Sequence, residues 1–417
     1  MPDEALYPRF AAARLKEALE DSPAVLIHGP RQCGKTTLAL HVGKRAGFTY
    51  LTFDDAVARE AATSDPIGLV ANLPRHVILD EVQHVPQLFS ALKATIDRQR
   101  LPGRFILTGS ANVLLLPKLS DSLAGRMAIL RLHPLAQCEL ARRPSHFLDR
   151  LFDARFKLHR SERLADELIE RIAGGGYPAA LALPAGRRRA RWYQDYIETL
   201  VQRDVRELAR ISSLDALPRL LAYAAAQTSR LLNVADLAAP FQLSRPTIRD
   251  YVTLLERVFL LSELPPWHSN RGSRLVKTPK LHIGDSGLAG ALLGASAASL
   301  KNDRMLLGQL LETFVFQELR REASWHDEAH EFFHFRDRDA YEVDLVIERG
   351  SRLLAGVEVK SSATVAASDF KGLRRLKEAA GSRFACGVVL YDGEMTASFG
   401  ENLHAVPIRS LWEKGDR

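Results

Sequence analysis

The chain has 417 residues and a formal charge of +7, with 46% apolar and 26% charged residues. That length exceeds one ordinary core and that balance excludes a disordered chain, so a soluble protein of about two or three domains is expected. Its three cysteines, Cys33, Cys138 and Cys386, are far apart and form no C-x-x-C pair, which supports neither a disulfide framework nor a zinc site and suits a reducing, cytoplasmic setting.

No basic or apolar leader opens the sequence, and its most apolar long window, residues 284–300, is broken by Asp285 and several serines, so no membrane span is expected. The positive surplus favours a polyanionic partner, although solubility alone also accounts for it. In chain order, an amphipathic helix over Arg9 to Glu20 leads into the apolar strand Ala24-Val25-Leu26-Ile27. Gly29, Pro30, Arg31, Gln32, Cys33, Gly34, Lys35, Thr36 and Thr37 follow, and a helix begins at Thr37. From Gly29 to Thr36 the spacing is G-x-x-x-x-G-K-[ST], a P-loop. Its backbone N–H groups and the helix N-terminus cradle phosphate oxygens, Lys35 reaches the β- and γ-phosphates, and the Thr36 hydroxyl is placed to ligate Mg²⁺. ATP and Mg²⁺ are therefore the expected ligands. Cys33 sits in a variable loop position beside the phosphates, so its alkylation is expected to block nucleotide binding.

A second strand, Tyr50 to Phe53, precedes the segment from Pro74 to Glu81, an apolar strand ending in Asp-Glu. Opposite a P-loop, the first carboxylate, Asp80, holds the Mg²⁺ shell and the second, Glu81, polarises the attacking water. Gln83 could also face the nucleotide. A helix from Gln87 to Arg100 leads to the strand Arg104 to Thr108 and a turn at Gly109-Ser110-Ala111-Asn112. Thr108 and Ser110, small and polar at a strand end, are candidate sensors of the γ-phosphate; an ordinary turn is the alternative. Arg126, after Asp121-Ser122-Leu123-Ala124-Gly125 and before the strand from Met127 to Leu132, is a candidate γ-phosphate contact in its own subunit or a neighbour's. A surface arginine is the other reading.

These motifs resemble the prokaryotic AAA-type P-loop ATPases that carry a C-terminal PD-(D/E)xK nuclease-like domain of unknown function. The resemblance implies an α/β chain with a RecA-like core at residues 1–145, in which a strand is inserted between those bearing Lys35 and Asp80. A helical region at 146–300 and a nuclease-like α/β domain at 301–417 would follow.

Within the helical region, the cluster Gly174-Gly175-Gly176-Tyr177-Pro178 reads as a hinge or tight turn closing the ATPase module, and Arg187 to Arg191 as a short cationic run before a helix over 192–208. A short helix over Val234 to Ala238, a turn at Phe241 to Ser244 and a helix over Pro246 to Val258 give a helix-turn-helix layout, winged-helix-like, within about 215–268. Ser244 would cap the second helix. Arg245, Thr247 and Arg249, near its exposed start, are candidate DNA contacts; a packing module that never meets DNA is the alternative.

In the last region, a helix over Leu306 to Arg321 carries Glu312. Strand periodicity puts Glu342 and Asp344 on one face of residues 341–347 and Glu358 and Lys360 on one face of residues 355–360. Carboxylates converging with a lysine suit Mg²⁺-dependent phosphodiester cleavage. Asp344, Glu358 and Lys360 resemble the PD-(D/E)xK core, with Glu312 at its helical acidic position and Val343 where that core has proline. The leading expectation is an Mg²⁺-dependent ATPase acting on or with DNA. A nucleotide-gated nuclease and a non-cycling nucleotide switch are the alternatives, and a homo-oligomer or protein partner is left open.

Overall fold

The computed structural model describes residues 6–110, 123, 125–205, 216–270, 278–350 and 353–413. The expected features at Ala111, Asn112, Asp121, Ser122 and Ala124 and at residues 206–208 lie outside them. The chain divides into two compact units, Met1–Leu135 with Arg257–Phe259 and Ala136–Glu256 with Leu260–Arg417.

The first unit is built on five parallel strands, β1 Ala24–His28, β2 Thr49–Thr52, β3 Val77–Asp80, β4 Phe105–Gly109 and β5 Met127–Arg131, in the order β2-β3-β4-β1-β5. The central strands read as unbroken apolar runs because both faces of the sheet are covered. Alternation sends Leu26, Leu79, Phe105 and Leu107 to one face, against Phe89 and Leu92 of the helix Leu88–Arg98. Val25, Ile27, Ile78 and Ile106 go to the other, against Leu15, Leu38 and Val42 of the helices Ala11–Asp21 and Lys35–Arg45. Each such side chain contributes about 1.5–3 kcal/mol on burial, so a one-residue slip of any central strand is strongly disfavoured. The fixed register delivers His28, Asp80 and Gly109 to the same edge of the sheet. β4 lies between the strands that carry the P-loop and Asp80, the order the resemblance implies.

The second unit contains β6 His159–Arg160, β7 Arg230–Leu231, β8 Leu261–Leu264, β9 Lys280–Ile283, β10 His330–Arg336, β11 Glu342–Arg349, β12 Leu353–Lys360, β13 Phe384–Tyr391, β14 Met395–Gly400 and β15 Leu403–Pro407. They form a seven-stranded sheet, β10-β11-β12-β13-β15-β14-β6, and a three-stranded one, β7-β9-β8. The helix Lys371–Ala380 covers part of the larger sheet through Leu373 and Leu376, which pack with Val343, Leu354 and Val389.

The compact units divide at Leu135 and not again near 300. Residues 136–145 belong to the second unit, because Gln137 N donates to Glu318 (2.7 Å) and Ser145 Oγ to Glu322 (3.1 Å), both on the helix Arg304–Ala323. Residues on either side of 300 are joined by β6 pairing with β14 and by the buried ion pair between Asp285 and Arg321 (2.8 Å). Nor is the glycine cluster a module end. Gly175, at φ +64°, is pressed so close to Asp285 and Tyr193 that an added Cβ would lie 2.1 Å from Asp285 Oδ1, and Gly176 N donates to the same carboxylate (2.9 Å). It is a buried tight turn inside the second unit.

The helix-turn-helix layout is present as the helices Val234–Ala238 and Arg245–Arg257, followed by β8 and β9. Thr247 N donates to Ser244 Oγ (3.2 Å), the expected cap. Among the described residues no helix is long and apolar enough to cross a membrane.

Candidate nucleotide site and carboxylate cluster

The P-loop leaves β1 through a backbone that only its residue types allow. A Cβ on Gly29 would stand 2.0 Å from Leu132 O, and Gly34 takes φ +99° as the loop enters the helix Lys35–Arg45. Lys35 is buried, and its Nζ donates to Gly29 O (3.0 Å) and Pro30 O (2.9 Å), folding the ammonium back over the loop that would hold phosphate. Arg9 braces the loop from outside, donating to Cys33 O (2.6 Å) and to His133 O (2.6 Å). No motif announces Arg9, whose role arises from where the chain ahead of the first helix lies.

Cys33 corrects an expectation. Its side chain points away from the loop's open face into the core with Ile27, Leu38 and Leu132, is 0% exposed, and lies 3.5 Å from Leu132 O. Burial pushes its thiol pKa up, against the opposing pull of the Lys35 and Arg9 charges. It is the loop's backbone at Cys33, not its sulfur, that borders the site.

Asp80, at the end of β3, gathers three hydroxyls. Thr36 Oγ1 donates to Oδ1 (2.9 Å) and lies 3.2 Å from Oδ2, Tyr50 OH donates to Oδ2 (2.8 Å), and Thr108 Oγ1 donates to Oδ1. Burial and then the Asp80 contact push the Tyr50 hydroxyl up to about 12, so it remains a donor at neutral pH. Tyr50 was not singled out in the sequence; its signal is parallel pairing of β2 with β3, which sets it opposite Ile78 beside Asp80. Thr108 also accepts from Glu81 N (3.2 Å).

Glu81 adopts φ 57° and ψ 45°, a left-handed conformation uncommon for a residue with a Cβ. Gln83 Nε2 donates to Glu81 Oε2, and Gln83 Oε1 accepts from Ser110 N (3.4 Å). Thus Lys35, Thr36, Asp80, Glu81, Thr108 and Ser110 share the strand ends. Arg126 is engaged elsewhere, in a two-pronged pair with Asp97 (2.6 and 3.0 Å) on the helix Leu88–Arg98. The donor set around Asp80 is all hard oxygen, a carboxylate beside a hydroxyl, and fits Mg²⁺ shared with phosphates better than a closed protein cage. No group of three or more His, Cys, Asp or Glu poised for a metal occurs among the described residues.

Residues 21–141 match the model of a family described as an AAA domain. Over 409 residues the chain is 30% identical to the uncharacterized protein Rv2008c of Mycobacterium tuberculosis, which spans 98% of this chain and 85% of that protein. The chain belongs to the family of that protein. The same figures relate it to the uncharacterized protein Mb2031c of Mycobacterium bovis. With the AAA domain on its first unit, it is a P-loop ATPase. Residues 165–299 and 307–411 match two domains of unknown function, DUF8612 and DUF4143. Similar solved structures include the Walker-type ATPase paby2304 of Pyrococcus abyssi (18% identity, 70% of this chain and 97% of that one, TM-score 0.44). Another is the RuvB Holliday junction branch migration motor of Thermotoga maritima (20% identity, 61% and 88%, TM-score 0.29).

In the second unit of this ATPase, Glu312, Asp344, Glu358 and Lys360 lie in one cluster. The β11–β12 ladder runs to Leu345 opposite Val357, and Val359 N donates to Asp344 Oδ2 (2.9 Å). Lys360 Nζ donates to Glu358 (2.8 Å), whose carboxyl pKa burial and the Asp344 charge push up to about 8. One member was missed. Lys280 on β9 places its Nζ 2.9 Å from Glu312, 2.9 Å from Glu342 and 3.2 Å from Asp344. Its strand, Lys-Leu-His-Ile, reads as an ordinary half-exposed alternation, and nothing local marks the lysine as buried.

Of the candidate DNA contacts, Arg245 is exposed at the start of its helix, Thr247 Oγ1 lies 2.7 Å from Ser244 Oγ, and Arg249 is paired with Glu263 on β8 (2.6 and 3.3 Å).

Proposed function

We propose that this ATPase hydrolyses MgATP at the P-loop and couples turnover to DNA. The observation that carries the reading is the bond from Thr36 to Asp80 at the mouth of the P-loop, with Lys35 and Glu81 on either side of it. Thr36 and Asp80 would hold Mg²⁺, which when bound neutralises phosphate charge. Lys35 would exchange the Gly29 and Pro30 carbonyls for β- and γ-phosphate oxygens, a switch of partners that needs no new burial of its charge. Glu81 would take the proton of the attacking water, steered by Gln83, while Thr108 and Ser110 register the γ-phosphate. Arg126 would serve the γ-phosphate only by leaving Asp97.

Coupling to DNA is supported by the charge of +7 and by the helix-turn-helix layout flanked by the strands of a three-stranded sheet, β7 before it and β8 and β9 after it, with Arg245 exposed where a phosphate would approach. The test is phosphate release from ATP with and without Mg²⁺ and duplex DNA. Turnover that needs Mg²⁺, rises with DNA and vanishes in Lys35→Ala is expected. Unchanged turnover in Lys35→Ala would refute the ATP site, and turnover blind to DNA would refute the coupling.

A further inference from the structure

Three carboxylates in the second unit converge on one ammonium. Glu312 comes from the helix Arg304–Ala323, Glu342 and Asp344 from β11, and Lys280 from β9, with the lysine side chain only 3% exposed. The ammonium donates to Glu312 (2.9 Å) and Asp344 (3.2 Å) and forms an ion pair with Glu342 (2.9 Å), so all three acidic side chains face it. Burial alone would lower the lysine pKa, but the carboxylates of Glu312, Asp344 and Glu342 raise it well above its ordinary value, so it stays charged. The other Asp344 oxygen is taken by Val359 N, and Lys360 is held by Glu358. Glu358 Oε2 is buried with no hydrogen-bond partner.

A divalent ion in a carboxylate site takes about six or more oxygen ligands at ~2–2.6 Å, and it would need the oxygens that Lys280 already occupies. Two cations cannot share that space, since each would lose its ligands to the other and feel its repulsion. The residues present therefore do not fit the metal that the nuclease-like pattern implies. We propose that the ammonium of Lys280 stands in the divalent-cation position among Glu312, Glu342 and Asp344, leaving this unit a metal-free carboxylate cluster that does not cleave phosphodiester bonds. The cluster then works as a tie, fastening β9 to β11 and to the helix bearing Glu312. The expected nuclease chemistry is closed off by one side chain, whose positive charge offsets part of the repulsion among the acids around it.

The test uses the full chain without nucleotide and Mn²⁺ as the probe, followed by electron paramagnetic resonance and calorimetry. With Lys280 intact, no Mn²⁺ binding that depends on Asp344 is expected, nor any Asp344-dependent nicking of supercoiled DNA. In Lys280→Met about one Mn²⁺ per chain should bind, at least roughly tenfold tighter than to the parent, and adding Asp344→Asn should abolish it. Lys280→Gln is the second variant should the methionine chain fail to fold, with circular dichroism and melting as the check. Mn²⁺ binding or nicking that Asp344→Asn removes from the parent chain overturns the proposal, as does a folded Lys280 variant that takes no Mn²⁺. The parent-chain measurement decides even if neither variant folds.

Discussion

Thr36 and Asp80 lie 44 residues apart and meet through a 2.9 Å hydroxyl–carboxylate bond. The contact exists because two parallel strands end at the same edge of the sheet, with β4 between them. If this pair is what holds Mg²⁺, Asp80→Asn should lower hydrolysis by ~10²-fold and raise the Mg²⁺ concentration for half-maximal rate, since a neutral amide is a poor ligand for a hard cation. Thr36→Ala should do the same more mildly. A Mg²⁺ titration of steady-state rate checks it, and a titration curve that does not move would sink the assignment.

Glu81 is held by Gln83, and Gln83 by the backbone at Ser110. Glu81→Gln should leave ATP binding intact while kcat falls ~10²–10⁴-fold, the range for losing a general base. Gln83→Ala should lower kcat by about tenfold with KM held, because the carboxylate loses its orientation but not its charge. Rates and KM measured together decide this. A Gln83→Ala chain that turns over faster than the parent would mean that the amide restrains Glu81 rather than aims it.

Arg245 and Arg249 on the helix Arg245–Arg257 should behave differently toward DNA. Arg249 is neutralised by Glu263, whereas Arg245 is exposed at the helix start. Arg245→Ala should weaken duplex binding and reduce the slope of log K against log salt by about one, as for one lost phosphate contact. Arg249→Ala should cost less. Binding isotherms over a salt series test the pair, and equal losses from both variants would count against this face as the contact.

How much of this was legible in the sequence differs between the two units. The P-loop, Asp80 and Glu81 could be read because phosphate binding needs consecutive backbone amides and the magnesium ligand needs a strand end, and both requirements leave local patterns. Arg9 and Tyr50 left none, because their roles come from packing across the sheet edge. Cys33 misled because loop membership fixes where a backbone lies and says little about where its side chain points. The glycines at 174–176 suggest a hinge or a tight turn by composition, and the choice between them is made by the close approach of Gly175 to Asp285, which no local pattern shows. In the second unit, strand periodicity found Asp344 and Glu358, but Lys280 reaches them from β9, a separate sheet 64 residues from Asp344 along the chain. A cation supplied from that distance is invisible to any reading of spacing.

His334 offers a measurable pH effect near that cluster. It is buried, its neutral ring donates Nε2–H to Thr278 O (3.1 Å), and Nδ1 is buried without a partner. Burial and then the Lys280 charge push its pKa down to about 4, with Arg336 acting the same way and the Thr278 carbonyl and Glu342 opposing. The folded pKa lies below the ordinary 6.5, so between these values the unfolded chain binds more protons than the native one. The histidine's contribution is therefore complete above pH 6.5 and is lost as the pH falls toward 4, at up to ~1.4 kcal/mol per pH unit. Glu322 and Glu358, raised to about 7 and about 8 by burial, run the other way between their ordinary 4.5 and those values, so the total slope is a balance. The difference between parent and His334→Gln isolates the histidine. Urea unfolding of the second unit between pH 7.5 and 5.5 should show the variant losing less stability on acidification than the parent, and parallel curves would contradict the burial argument.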